Sequence, residues 1–246
     1  MCGRYAVHSL AAVAQTFGQA GEQAVQAMQN SGRWPSYNVS PMTPVPVFTQ
    51  ATGLEAGMDL EPPATEWRHE PQTTGSHPKP TKPSFQVTIT QWGYSPSWAD
   101  KPMNLINARV ETLNAKPSFR EAARCVMVAD GWYEWQQGTS AKQPYYHKTQ
   151  EGSLLLFAGI YNDHGACIVT REAAEDLANI HHRQPLLLST ETMIQWLSSN
   201  ATPGSFVTED QPPIEAYPVS QRVNKPTHND PSLLHRVEPF SGDLFL

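Results

Sequence analysis

Long hydrophobic runs, paired cysteines and charge are all in short supply in this chain. The longest unbroken apolar run, residues 154–161, has eight residues, far below the roughly 18 that a membrane-crossing helix needs. Residues 9–14 are too short, and lack the basic leader, to form a secretory signal. Three cysteines, Cys2, Cys125 and Cys167, contain no Cys-x-x-Cys pair. A disulfide framework and a thiolate zinc site are therefore not expected. Charged residues make up only 16 % of the 246, with 17 basic against 23 acidic and a net charge of −6. That balance argues against indiscriminate nucleic-acid binding by bulk electrostatics, while leaving room for a local basic groove. What is present is ample core material: 39 % apolar residues and seven Trp, which excludes a disordered chain.

No internal repeat is visible. The one shift in composition is residues 61–84, with six prolines in 24 positions. Proline lacks the N–H that a ladder or helix requires, so an extended surface insertion is predicted there, spanning at most 49–84. Residues 18–30 read as helical. Strand-like runs follow at 85–92, 125–129, 145–148, 154–161 and 166–170, short and rich in β-branched or aromatic side chains. Helices are predicted at 116–123, 171–178 and 191–198, the last capped by Thr190. Strands outnumber helices, which predicts one α+β domain over 2–246 with a mainly antiparallel, barrel-like β core and peripheral helices.

The start, Met1-Cys2-Gly3-Arg4-Tyr5, is the sharpest signal. A small side chain at position 2 permits removal of Met1, which would place a free α-amine and a thiol on adjacent carbons. An α-amine titrates near ~7.7–8.0, so a useful fraction is a neutral nucleophile at neutral pH. An aldehyde can condense with it to an imine, and the neighbouring thiol can close a five-membered ring with the advantage of proximity. From position alone, Cys2 reads more readily as an ordinary terminal residue.

Four further clusters carry polar chemistry. In 106–112, Asn107 and Arg109 share a face if the segment is extended, an amide beside a guanidinium that suits a sugar–phosphate. Arg109 paired structurally with Glu111 is the alternative. In 130–135, Glu134 lies between aromatic residues, where desolvation would raise its pKa into an acid–base range. In 179–185, His181 can move a proton and Arg183 can meet a phosphate, the alternative being a plain solvated loop histidine; adjacent histidines do not chelate one ion. Finally, 92–98 and 38–41 are turns marked by Trp92, Tyr94, Trp98 and Pro41, whose rings would stack on unpaired bases where exposed and be core where buried.

Together and in this order, these pieces resemble the SOS response-associated peptidase (SRAP) family of abasic-site processing proteins. The matching segments are Met-Cys-Gly-Arg-Tyr at 1–5, Tyr-Asn-Val-Ser-Pro at 37–41, Trp-Gly at 92–93 and Asn-Ala-Arg-Val-Glu-Thr at 107–112. Arg124-Cys125, Gly-Trp-Tyr-Glu-Trp at 131–135, Phe-Ala-Gly-Ile-Tyr at 157–161, Ile-His-His-Arg-Gln-Pro at 180–185 and Val-Ser-Gln-Arg-Val-Asn at 219–224 continue the match. Tyr94 and Gln184 depart from it, standing where the family usually has an aliphatic residue and often Met.

The resemblance implies a single domain that senses and shields abasic sites in single-stranded DNA. Cys2 would be the nucleophile after loss of Met1, forming a thiazolidine with the ring-opened sugar. Glu134 would serve as acid–base group for imine formation, Met1 release and reversal, and His181 would protonate the ribose oxygen. Asn107 would hold the Cys2 amine and the sugar. Arg4, Arg109 and Arg183 would contact phosphates, with Pro41 and Trp92 at the DNA surface. No metal, cofactor or membrane is implied, and a monomer in the bacterial cytoplasm is expected. Two other classes start from the same residues. Class II glutamine amidotransferases also begin Met-Cys-Gly, although they typically continue with Ile where Arg4 stands, and a non-catalytic single-stranded DNA-binding module would leave Cys2 inert.

Overall fold

The computed structural model describes residues 2–51, 83–136, 142–198, 202–208 and 210–239. Most of the proline-rich insertion therefore lies outside the described residues. In chain order the elements are β1 (Tyr5–Val7), α1 (Leu10–Phe17), α2 (Gln19–Asn30), β2 (Ser36–Val39), β3 (Pro44–Gln50), β4 (Phe85–Gln91) and β5 (Asn107–Arg109). They continue with β6 (Ala123–Ala129), β7 (Gly131–Trp135), β8 (Pro144–Thr149), β9 (Leu155–Asn162), β10 (Gly165–Glu172), β11 (Arg183–Pro185), β12 (Leu187–Leu188), α3 (Thr190–Leu197) and β13 (Ile214–Pro218). Thr49 and Gln50, placed in the insertion by composition, instead belong to β3 and pair with Gln86 and Phe85.

The expected barrel does not form. One sheet runs β13-β8-β7-β1-β2 and the other β11-β10-β9-β6-β3-β4, with β12 against β9 and β5 against β10. Neither order returns to its first strand, so both sheets are open. All pairings of named strands are antiparallel except β5 with β10. Alternation and short turns look the same in a closed barrel and in two facing sheets, and only the register of the end strands separates them. The exposed edge at β2 is blunted by a side chain, since Tyr37 N–H donates to Asn229 Oδ1 at 2.6 Å.

Period-two alternation divides β7 between two cores. Trp132 packs edge-on to Phe157 of β9, and Tyr5 of β1 meets both Phe157 and Trp92, so these rings fill the space between the sheets. Tyr133 points the other way, into a smaller cluster with Ala6, Tyr146 and Tyr217. Glu134, two residues from Trp132, thus lies on the inter-sheet face. The crossing of β7 and β8 at Gly131 is close: a Cβ there would stand 2.4 Å from His147 O and from the Tyr146 ring, so only glycine fits.

Two predicted helices are overridden by strand pairing. Pro117 starts only a short helical turn, Pro117–Phe119, because the chain enters β6 at Ala123 and takes its hydrogen bonds from β9. Arg171 and Glu172 remain in β10, paired with Gln184 and Arg183. The helix at 191–198 forms as α3, with Ser189 rather than Thr190 as its cap. Ser189 Oγ accepts from Thr192 N–H, and Thr192 Oγ1 bonds Ser189 N–H in return. Cys125 and Cys167 are buried, free cysteines in β6 and β10.

Candidate active site at the amino terminus

Residues before β1 carry Cys2 into the protein. Asp130 pins the other end of that strand, its Oδ2 accepting from His8 N–H at 2.6 Å and Ser9 N–H at 3.0 Å. Along the strand, Tyr133 N–H donates to Arg4 O at 2.9 Å, and the register Tyr5↔Trp132 sets Cys2 near Glu134. Cys2 is fully buried. Its thiol is pushed far up, first by burial and then by the negative charge of Glu134, while the α-amino charge and the Arg4 carbonyl pull weakly the other way. Such a thiol stays protonated until a base removes its proton.

Asn107 is drawn to the same place from the other sheet. Its Nδ2 donates to Cys2 O at 2.8 Å, so it grips the carbonyl rather than the amine. Its Oδ1 is buried with no hydrogen-bond partner among the described residues, an acceptor left for an amine or a sugar hydroxyl. Glu134 is buried, and desolvation raises its carboxyl to about 7, against the lowering effect of the α-amino terminus. The raised value matches the expectation for a carboxylate among aromatic rings, and a group titrating there both gives and takes protons at neutral pH.

His181 is buried in the turn before β11. Its Nδ1 accepts from Arg183 N–H at 3.0 Å and stands 3.1 Å from Arg183 O. The ring therefore keeps a backbone partner at Nδ1 whether that nitrogen carries a proton or not. Burial, and next the α-amino charge, lower its pKa to about 4, so it is a neutral imidazole at pH 7.

His147 was not singled out by any motif. Its register opposite Trp132 puts it on the Glu134 face of β8, and its ring stacks on Trp132 at 4.7 Å and 18°. Burial lowers it to about 4 despite backbone hydrogen bonds that favour the cation. The signal was period-two alternation in Tyr145-Tyr146-His147, legible only once the partner strand is known.

Three surface expectations change. Arg4 is an internal brace, its Nη1 donating to Asn38 Oδ1 and to Val223 O, both at 2.7 Å. Arg183 is buried, its two Nη groups on the Glu111 carboxylate at 2.7 and 2.9 Å. Its guanidinium is thus taken by Glu111, the partner suggested for Arg109, and Arg109 is left exposed. Trp92 is core: the ring is buried and its Nε1–H donates to Ile106 O at 3.0 Å, holding the residue before Asn107. Tyr94 is buried too, and the exposed ring of that segment is Trp98, at 58 % of its full exposure. Trp92→Ala should consequently cost about 3–5 kcal/mol of stability in a denaturant titration, while Trp98→Ala should leave stability within about 0.5 kcal/mol.

Pro41 is half-buried in the turn between β2 and β3, beside exposed Met42. Gln184 is buried and its Oε1 accepts from Ala174 N–H at 2.8 Å. Among the described residues no group of three His, Cys, Asp or Glu side chains is placed to hold a metal ion. No helix among them is long and apolar enough to cross a membrane.

The family model described as SOS response associated peptidase (SRAP) matches residues 1–226. Abasic site processing protein YoqW of Bacillus subtilis is 34 % identical over 165 residues, covering 58 % of this chain and 74 % of that protein. Abasic site processing protein YedK of Escherichia coli is 38 % identical over 117 residues, 43 % of this chain and 52 % of its own length. A crystal structure of a protein from Bacteroides thetaiotaomicron superposes with a TM-score of 0.68 at 23 % identity, over 96 % of this chain and 100 % of that one. With a family model covering all but the last twenty or so residues, the chain belongs to the SRAP family.

Proposed function

We propose that this protein captures abasic sites in single-stranded DNA as a covalent adduct on Cys2. The observation that carries the reading is the meeting of Cys2, Asn107 and Glu134 from separate segments, with Asn107 Nδ2 on the Cys2 carbonyl at 2.8 Å and the buried thiol in the field of the Glu134 carboxylate. The names of the relatives YoqW and YedK point to the same lesion.

The reaction begins with hydrolysis of the Met1–Cys2 peptide bond, which frees the Cys2 α-amine. An abasic deoxyribose opens to an aldehyde at C1′, with the neutral His181 ring taking the C1′ hydroxyl proton on Nε2 and passing it to the departing ring oxygen. The amine adds to C1′ and water leaves, forming an imine, with Glu134 as the proton carrier. The thiol then adds across the C=N bond. A C1′–S bond forms, the thiol proton passes by way of Glu134 to nitrogen, and a thiazolidine results. Because the thiol is neutral in its buried setting, a nearby carboxylate titrating at about 7 is the right base. Running the same steps backwards releases the DNA slowly.

Intact-mass measurement and a denaturing gel test this together. The expected result is a protein lacking Met1 that shifts with an abasic oligonucleotide and not with an intact one. Adduct formation by protein that retains Met1 would overturn the mechanism.

DNA binding itself rests on exposed groups. Arg109→Ala should weaken binding of single-stranded DNA and reduce the slope of log affinity against log salt by about 0.7, read by fluorescence anisotropy from 50 to 200 mM salt. Trp98→Ala should lose one stacked base, about 1–3 kcal/mol, in the same assay. An unchanged affinity would remove Trp98 from the DNA path.

A further inference from the structure

Glu111 receives both Nη groups of Arg183 on its carboxylate. It stands in the short helical turn Val110–Thr112 that follows β5, four residues after Asn107. Its side chain is 39 % exposed, whereas that of Arg183 is only 9 % exposed. The bond is a two-pronged fork, the geometry in which Arg and carboxylate fix one another's orientation. Arg183 Nη2 also donates to Thr170 O at 2.8 Å. Thr170 is registered with Arg109 of β5 and with Pro185 of β11, so these strands lie on opposite edges of β10. The ion pair therefore spans the end of β10 and ties the segment bearing Asn107 to the segment bearing His181.

The chain of contacts continues past the guanidinium. Arg183 is two residues after His181, and its own N–H and C=O are the groups that flank His181 Nδ1. We propose that Glu111 is a positioning residue for His181, acting through the side chain and then the backbone of Arg183. Glu111 touches neither Cys2 nor the reacting atoms. It decides where a buried guanidinium sits, and that decides which way the His181 ring presents Nε2. A guanidinium taken out of water and deprived of its carboxylate will shift to find another acceptor, and its backbone will carry the imidazole with it.

This inference rests on the reading of His181 as the proton donor to the sugar, and the test separates the two. Glu111→Gln keeps the shape and removes the charge, Glu111→Asp keeps the charge on a shorter arm, and Arg183→Lys keeps the cation without the fork. In DNA-free protein, the ¹⁵N resonances of the His181 ring should shift in Glu111→Gln and in Arg183→Lys, and return part of the way in Glu111→Asp. At saturating abasic DNA the rate constant for adduct formation should fall about tenfold in Glu111→Gln, the scale expected of a sub-ångström misplacement. In a His181→Gln background the same substitution should cost nothing further, and affinity for intact single-stranded DNA should not weaken in either.

Unmoved His181 resonances, or an equal rate loss with and without His181, would overturn the inference. If Glu111→Gln does not fold, Glu111→Asp and Arg183→Lys carry the same comparison. Should the wild-type protein form no adduct, the proposed function fails while the resonance comparison still decides the role of Glu111.

Discussion

Cys2→Ala will abolish the heat-stable adduct with abasic single-stranded DNA while leaving affinity for intact DNA within about twofold. The alanine protein still has a terminal amine, so it can form an imine, but an imine without a neighbouring thiol hydrolyses and does not survive heating. Cys2→Ser separates the two atoms further: its hydroxyl closes a much more labile five-membered ring, so any adduct should be lost on heating. Both are read on a denaturing gel after equal incubation. A heat-stable band from the serine protein would mean that sulfur is not the trapping atom. Neither variant should disturb the fold much, because each changes a single buried atom and the thiol's hydrogen bond to Arg4 O is long, at 3.8 Å.

Glu134→Gln should be slower and more stable at once. Glutamine keeps the shape but cannot carry a proton, so both formation and reversal of the adduct should slow by about 10²–10⁴-fold, the usual worth of a positioned acid–base group. Stability moves the other way, and its sign follows from linkage. Burial raises the folded carboxyl to about 7 from an ordinary 4.5, so the folded state holds a proton that the unfolded state has released between those values. Wild-type stability from this group is intact below about pH 4.5 and is lost as pH rises through 7. At about 1.4 kcal/mol for each pH unit of that gap, the loss is on the order of 3 kcal/mol at pH 8. Glutamine carries no such loss. Denaturant titrations should therefore show Glu134→Gln more stable than wild type at pH 8 and nearly equal at pH 4.5. Equal stability at both would mean that Glu134 is not desolvated as described. A large loss of DNA affinity in the same variant would mark it as a structural residue.

These variants probe groups that could be named from sequence, and several others could not. Cys2, Asn107, Glu134 and His181 could be singled out as candidates because each sits in a short motif whose residue types suit one step of aldehyde chemistry. The fate of the arginines was not. Arg4, Arg109 and Arg183 look alike in a sequence, and two of the three are consumed by internal partners, Asn38 and Glu111, that lie 34 and 72 positions away. Trp92 and Trp98 were equally hard to separate, since both flank the same turn, and one is buried against Tyr5 while the other faces solvent. The two short helices expected at 116–123 and 171–178 failed for a related reason: local propensity over eight residues is weak against ladder hydrogen bonds from β9 and β11.

By itself, then, the amino-acid sequence determined the chemical inventory and the family: a cysteine at position 2, a carboxylate among aromatic residues, an amide and an imidazole, in a chain that must build antiparallel sheets. Which cations remain at the surface, which tryptophan faces solvent, that the sheets stay open, and that Glu111 pairs with Arg183 were settled only in three dimensions. Side-chain identity is local, whereas burial and charge pairing depend on what the fold brings alongside from distant positions.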